Sequence, residues 1–253
     1  MIDVLSYHLI SYSSFVYFLL FVVYVAHSSH ALYFHRYICH RQITISAWYQ
    51  HFLRFIIFLT SPVWSKDYIC YYIARHRLHH RYSDTDRDVS NPKFGFWFLL
   101  TKGTPVSLED LKKYGEFFLE PKDVASRFYK RNPWVGVMCL VILCTILAGL
   151  VGFVVGLLLI PFQKFYETAV DYCYHSFGYK NPQVKGNARN VTCIAIVEGL
   201  HSNHHVRPWD PKCSHRWFEI DLFYGYMLVL HWLYIIRIKQ LDQTNYFEKK
   251  FDI

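Results

Sequence analysis

Histidine is the residue whose number and spacing could do chemistry in this chain. Fifteen are present, and most are clustered. His76, His79 and His80 stand in HRLHH; His201, His204 and His205 stand in HSNHH. On a helix, residues i, i+3 and i+4 share one face, so each triplet converges its imidazoles on one point or on two adjacent ones. Three imidazoles on one face add little stability unless something binds them. A third, weaker cluster is His35 and His40, an HxxxxH pair. At i, i+5 the two side chains point about 140° apart on an ideal α-helix. They can share a metal only if the helix end unwinds or a second element meets them. His27 and His30 are nearby competitors. Nitrogen-only ligation suits iron, zinc or copper. Eight clustered histidines exceed one coordination sphere, so two metals are expected. Redox chemistry favours iron, and a pair of irons can remove hydrogen atoms from an unactivated carbon chain, work no side chain does.

The elements that must position these histidines are largely apolar. Residues 8–30 carry no Lys or Arg and form a first candidate span. No basic n-region precedes it, so it is expected to be a membrane helix and not a signal peptide. Residues 43–63 are apolar but contain His51 and Arg54, which fits an amphipathic helix in the interface. Residues 64–133 hold 13 Lys or Arg and 9 Asp or Glu, the pattern of a cytosolic segment. Residues 134–174 are almost continuously apolar and too long for one crossing of about 20 residues. Gly149, Gly152 and Gly156 mark a turn, so a hairpin of two short spans is expected, with Pro161 kinking the second. A hairpin returns the chain to the side it left, as clusters sharing one site require. Residues 191–205 read as a helix ending in the third cluster, and 222–239 as another interfacial helix.

Composition points the same way. Apolar residues make up 53%, aromatics 19% and charged residues only 18%, against about a quarter charged in soluble domains. Seven scattered cysteines without a CxxC read as buried thiols, not as a disulfide framework. The net charge of +8 fits positive-inside loops, an anionic headgroup or an acidic partner. No nucleic-acid motif or basic helix accompanies it, which argues against a nucleic-acid partner.

The runs HRYICHR, ARHRLHHRYSDTDRDVSNP followed by GFWF, and EGLHSNHHVRP together resemble the acyl-CoA desaturases of the stearoyl-CoA (delta-9) type. The resemblance spans about Phe34 to Lys239. It implies an all-α integral membrane fold: a helical transmembrane bundle under a cytosolic helical cap (64–133 and 176–221) that holds a histidine-rich di-iron centre. One iron would take His35, His40, His76, His80 and His204; the other His79, His175, His201 and His205. His175 enters through the family's NxxxH motif, whose asparagine reaches iron through water and is replaced here by Asp171. The implied substrate is a long-chain saturated fatty acyl-CoA, or an acyl-carrier or lipid-bound chain, lying in a kinked tunnel. Dioxygen and a separate electron donor, such as cytochrome b5 or ferredoxin with its reductase, would complete the reaction. Arg75, Lys93 and Lys102 are candidates to meet the headgroup. The boxes would face the cytosol, at the endoplasmic reticulum of a eukaryote or the inner membrane of a bacterium. Members usually have two spans before the first box; here one is found. Asp84, Asp86 and Asp88 are candidates either to hydrogen-bond the back of the ligand rings or to cap turns and pair with Arg81 and Arg87, and Glu198, about one turn before the third cluster, is a similar candidate for a ring.

Overall fold

The computed structural model describes residues 8–63, 66–103, 105–115, 121, 123–191 and 198–242. The chain is mostly helical. Helix α1 (Tyr12–His30) opens with Ser11 as N-cap, its hydroxyl accepting from the Ser14 N–H. It continues without a break into a π-helical stretch, Ala31–Cys39. Together these form one apolar helix of 28 residues, long enough to cross a bilayer by length and composition.

The apolar run after residue 133 is α7 (Val135–Ser176), which is two helices across a break. Ala148 and Gly149 leave the helical region, and Gly149 has φ 57°, a left-handed backbone that glycine adopts without steric cost. The second arm folds back on the first. A Cβ on Gly152 would lie 1.8 Å from the Cys144 carbonyl oxygen, and one on Gly156 would lie 3.1 Å from Val141 Cα. The small residues therefore permit backbone-to-backbone contact between the arms. They are unequal: the first, Val135 to Leu147, rises only about 20 Å at 1.5 Å per residue, while the second is twice that. At Pro161 the backbone stays helical; the departure is confined to 148–149. The hairpin tip meets the start of α1, where the Leu9 N–H donates to the Leu147 carbonyl at 2.9 Å.

The two segments expected as interfacial helices each contain a short strand. β1 (Ile43–Ile45) precedes α2 (Ala47–Thr60), and β2 (Ile236–Ile238) follows α9 (Leu222–Trp232). The strands pair antiparallel, Ile43 with Ile238 and Ile45 with Ile236. Their isoleucines enter the main core with Leu32, Phe34, Leu53, Ile57 and Ile73. A Tyr49–Tyr226 hydroxyl contact of 2.7 Å joins α2 to α9. Opposite its buried side, α2 exposes Trp48, Phe52 and Phe55 on one face.

Between α2 and α7 the chain forms α3 (Lys66–Tyr82), α4 (Phe96–Thr101), α5 (Leu108–Gly115) and α6 (Val124–Arg131). Arg54, only 1% exposed, reaches from α2 to Asp123 Oδ2 at 2.7 Å and to Ser126 at the start of α6. Burial pushes the Asp123 carboxyl up, but the Arg54 hydrogen bond and the Ser126 N–H outweigh it and hold it at about 2. The helix expected over 191–205 is shorter: Val191 and residues 198–200 are not helical, Leu200 forms an isolated antiparallel bridge with Asn190, and only α8 (His201–Val206) is helix; residues 192–197 lie outside the described residues. A four-residue α10 (Lys239–Asp242) ends the described chain.

Candidate metal centre

The nine histidines singled out in the sequence come together in two groups. The nitrogens of His35, His40, His76, His80 and His204 lie within 4.8 Å of one another; so do those of His79, His175, His201 and His205. Helix α3 feeds both groups, sending His76 and His80 (i, i+4) to one and His79 to the other. Helix α8 does the reverse, with His201 and His205 in the second group and His204 in the first. The groups abut where the His80 and His205 rings stack at 4.2 Å.

The first pair meets because the end of the long helix is π-helical. Its i→i+5 bonding, with the His40 N–H donating to the His35 carbonyl at 3.0 Å, turns a spacing that would splay on an α-helix into one shared face. The His35 and His40 Nε2 atoms are 2.9 Å apart. Helix α8 is a single turn, and Asn203 fixes it. The Asn203 side chain donates to the Cys213 carbonyl and to Glu219 Oε2, both at 2.8 Å. It accepts from Asn181 and Asn190, and its own N–H donates to Asn190 Oδ1.

Three carboxylates stand behind the rings. Asp88, 1% exposed, accepts from His79 Nδ1 at 2.9 Å; Asp84 accepts from His175 Nδ1 at 3.2 Å; Glu198 meets His35 Nδ1 and lies 3.4 Å from Arg36. Asp86 turns outward to Lys93. Asp84 and Glu198 sit at φ 61° and 66°, a left-handed backbone that a glutamate rarely adopts, so the fold holds these groups in place at a local cost. Burial raises the Asp84 carboxyl, but the His175 ring and then the Asn187 N–H overcome it and hold it at about 2. For Glu198 burial is likewise outweighed, by His35 and then Arg36, again giving about 2.

The donor set suits a metal. A ring whose Nδ1–H donates to a carboxylate offers a lone pair at Nε2. The inward nitrogens are crowded: His40 to His76 is 2.8 Å, His35 to His204 is 3.1 Å, and His175 lies 3.1 Å from His79 and 3.2 Å from His201. Burial, then neighbouring charge, pushes His40, His76, His80, His201, His204 and His205 well below the ordinary imidazole value, so they stand neutral. Neutral lone pairs packed face to face repel unless a cation lies between them. Among the described residues, neither His80 nitrogen has a hydrogen-bond partner. An imidazole nitrogen sits about 2.1 Å from a divalent metal, so opposite donors stand about 4.2 Å apart. Each group spans little more than that.

The other candidates fall outside the groups. Asp171 is not among the converging donors, though its charge reaches His79, one of the carboxylates that raise that ring's pKa against burial. His30 contacts Gln163 at 3.2 Å, and His27 packs edge-on against Tyr166. Arg75 donates to Ser90 at 3.2 Å, Lys93 pairs with Asp86, and Lys102 is exposed at the end of α4. Asn203, Glu219 and Arg36 carry the scaffold without any sequence signal that marks them. A crevice between α1, α2 and both arms of α7 has apolar walls of Val22, Ala26, Leu140 and Phe162 and polar groups His27, Thr60, Gln163 and Tyr166.

Comparison with known proteins agrees with this construction. The fatty acid desaturase family model matches residues 12–228. An sn-1 stearoyl-lipid 9-desaturase of Synechocystis sp. is 25% identical over 75% of this chain and 60% of its own length. Delta-9 acyl-lipid desaturase 1 of Arabidopsis thaliana is 23% identical over 75% of this chain and 63% of its own. A probable acyl-CoA desaturase of Schizosaccharomyces pombe is 30% identical over 62% of this chain and 34% of its own. The chain thus spans 60% and 63% of the first two relatives' length. With two buried histidine groups able to bind metal, two long apolar helices and a family match over most of its residues, the chain belongs to the fatty acid desaturase family.

Proposed function

We propose that this protein is an oxygen-dependent desaturase of a long-chain saturated fatty acyl thioester, acyl-CoA with the double bond at the delta-9 position. Its metals would be two irons, one held by His35, His40, His76, His80 and His204, the other by His79, His175, His201 and His205. The observation that carries the reading is the convergence of nine histidine nitrogens into two abutting groups with carboxylates behind three of them. When bound, the irons would supply dioxygen activation and removal of two hydrogens from adjacent carbons. The balance is one CH2–CH2 unit, one dioxygen, two electrons and two protons giving one double bond and two waters.

The chain's own residues do the positioning. Asp84, Asp88 and Glu198 keep the proton of their histidine on Nδ1 and aim Nε2 inward. Asp171 acts on the second group by charge or through water. The crevice beside His27 gives the acyl chain an apolar bed. Arg75, Lys93 and Lys102 would meet the phosphates of the thioester headgroup. The long helix and the α7 hairpin would sit in the bilayer as one desaturase domain, with α2 and α9 in its interface. The remaining helices would form a cytosolic cap, in the endoplasmic reticulum or a bacterial inner membrane. Electrons would come from a separate cytochrome b5 or ferredoxin.

A lipid-bound acyl chain is the second reading, favoured by the two acyl-lipid relatives. Iron-loaded protein in bilayers, given reductant and either stearoyl-CoA or a stearoyl phospholipid, decides between them. Unsaturated product from the thioester is expected. Product from the phospholipid alone supports the second reading. Labelled oxygen in a lipid alcohol would make the protein a hydroxylase. Equal activity of wild type and His79→Ala would end the metal reading.

A further inference from the structure

The outward apolar surface of α1 and the α7 hairpin is short, and three helical segments agree on its height. The hairpin turns at Ala148 and Gly149. On its first arm, exposed apolar side chains run from Trp134 down to Ile146, and the exposed Arg131 stands just above Trp134. Trp134 to the turn is about 20 Å at 1.5 Å per residue. On the second arm, exposed apolar side chains begin at Leu150 and are interrupted by the exposed Lys164, about 23 Å above the turn. Helix α1 starts level with the turn, because the Leu9 N–H donates to the Leu147 carbonyl. Its exposed apolar face extends only from Tyr12 to Tyr24, about 18 Å. Beyond that Ala26, Ser28, Ser29 and His30 are buried. These are heights along helix axes, so any tilt makes the belt thinner still.

Both rims of the belt are polar. Arg131 and Lys164 mark the rim nearer the histidines. At the other rim His8, Ser11, Ser13 and Ser14 are exposed, and the Ser11 hydroxyl lies 3.0 Å from that of Ser13 and 2.9 Å from that of Ser14. A hydrocarbon core is about 30 Å thick. In such a core this rim would stop about 10 Å short of the far headgroups, and its imidazole and hydroxyls would lie among acyl chains that cannot solvate them. A bilayer meets a short belt by thinning or by snorkelling of flanking long side chains. Residues 8–35 contain no Lys or Arg, so nothing there can snorkel, and thinning is the response left.

We infer that the surface of α1 and the α7 hairpin is fitted to a thin bilayer, with a hydrocarbon core of about 20 Å. Its lipid partner is a short-chain bilayer, and longer chains are compressed around it. The inference rests on the bilayer placement proposed above and is independent of the reaction.

The test uses full-length, iron-loaded protein in vesicles of dimyristoleoyl-, dioleoyl- or dierucoyl-phosphatidylcholine, which lengthen the chains at constant headgroup and unsaturation. Thermal unfolding is followed by circular dichroism at a fixed lipid-to-protein ratio. The wild-type midpoint should be highest in the dimyristoleoyl bilayer and about 5–10 °C lower in the dierucoyl one. Two lysines probe depth: Leu150→Lys at the hairpin turn and Leu157→Lys halfway up the belt, both at exposed positions. In the thin bilayer Leu150→Lys should stay within about 2 °C of wild type, while Leu157→Lys should lose about 5–10 °C. In the dierucoyl bilayer both should lose stability. A wild-type profile that is flat, or highest in dioleoyl or longer lipid, overturns the inference and leaves the protein in the membrane. So does a Leu150→Lys protein as destabilised in the thin bilayer as Leu157→Lys. Release of wild type from the vesicles by alkaline carbonate would instead overturn the bilayer placement itself, and the inference with it.

Discussion

Asp84, Asp86 and Asp88 alternate along one short run, yet the structure gives them different work, and Asp88→Asn separates the possibilities. Asp88 makes three hydrogen bonds while 1% exposed: Oδ1 accepts from His79 Nδ1 at 2.9 Å and from the Ser90 N–H at 2.8 Å, and Oδ2 accepts from the Asp84 N–H at 2.7 Å. An amide in its place keeps the first two and turns an NH2 toward the third. That leaves one buried N–H without an acceptor, worth about 1–3 kcal/mol of stability. With metal bound as proposed, losing the charge behind His79 should weaken its affinity further, by about 10–100-fold, or roughly 1.4–2.8 kcal/mol. Iron content after purification, chelator-stripping rates and thermal unfolding with and without added iron give the two effects separately. Asp86→Asn is the control, because Asp86 faces solvent and Lys93. A folded Asp88→Asn protein that keeps wild-type iron and chelator resistance, or an Asp86→Asn protein that loses them, would refute the reasoning.

Three other outcomes are expected. The Asp123–Arg54 pair holds α6 on α2, with the Asp123 carboxyl lowered from an ordinary 3.8 to about 2. Its contribution is therefore complete above about pH 4 and drains away as pH falls toward 2. Hydrogen exchange in α6 should show that loss in wild type and a flat profile in Asp123→Asn. Gly152→Ala places a methyl 1.8 Å from the Cys144 carbonyl oxygen and should force the α7 arms apart, whereas Gly225→Ala meets nothing within 4 Å and should raise stability by about 0.5–1 kcal/mol, both read by thermal unfolding. Asn203→Leu strands the partners of a five-bond hub. It should cost about 3 kcal/mol or more and deplete both histidine groups of metal, because α8 feeds both; retained iron would contradict that.

The two HxxHH triplets were legible because helical periodicity alone puts i, i+3 and i+4 together. The hairpin was legible because about forty largely apolar residues with Gly149, Gly152 and Gly156 near the middle have few other ways to fold. His175 is different: an isolated histidine has no spacing to read, and only resemblance to a family pointed to it. Three identical aspartates in alternation give no sign that Asp84 and Asp88 turn inward and Asp86 outward, since that depends on where His79 and His175 come to lie. The strands ITI and IRI are too short and too far apart in the chain to betray their pairing, and so lay inside stretches that read as helix. Asn203 gains its importance from partners at 181, 190, 213 and 219, none of which is local. Contacts along a helix could be read from the sequence; contacts between elements mostly could not.

The π-helical end of the first long helix has a consequence for phase. A π turn is an α-helix with one residue more than its pitch calls for, so everything after it is rotated by about 100° from where uninterrupted α geometry would leave it. Without that extra residue the first pair would become i, i+4, the spacing of His76 with His80 and of His201 with His205. The surplus residue therefore does more than bring His40 beside His35. It resets the direction in which the chain departs. Arg41 takes a positive φ, Gln42 is delivered to the carbonyls of Pro208 and Asp210, and β1 lines up with a strand almost two hundred residues away. The loop that follows the third cluster's helix is thus indexed to the first cluster by a single residue of helical register. A one-residue deletion between His35 and His40 would misalign both together.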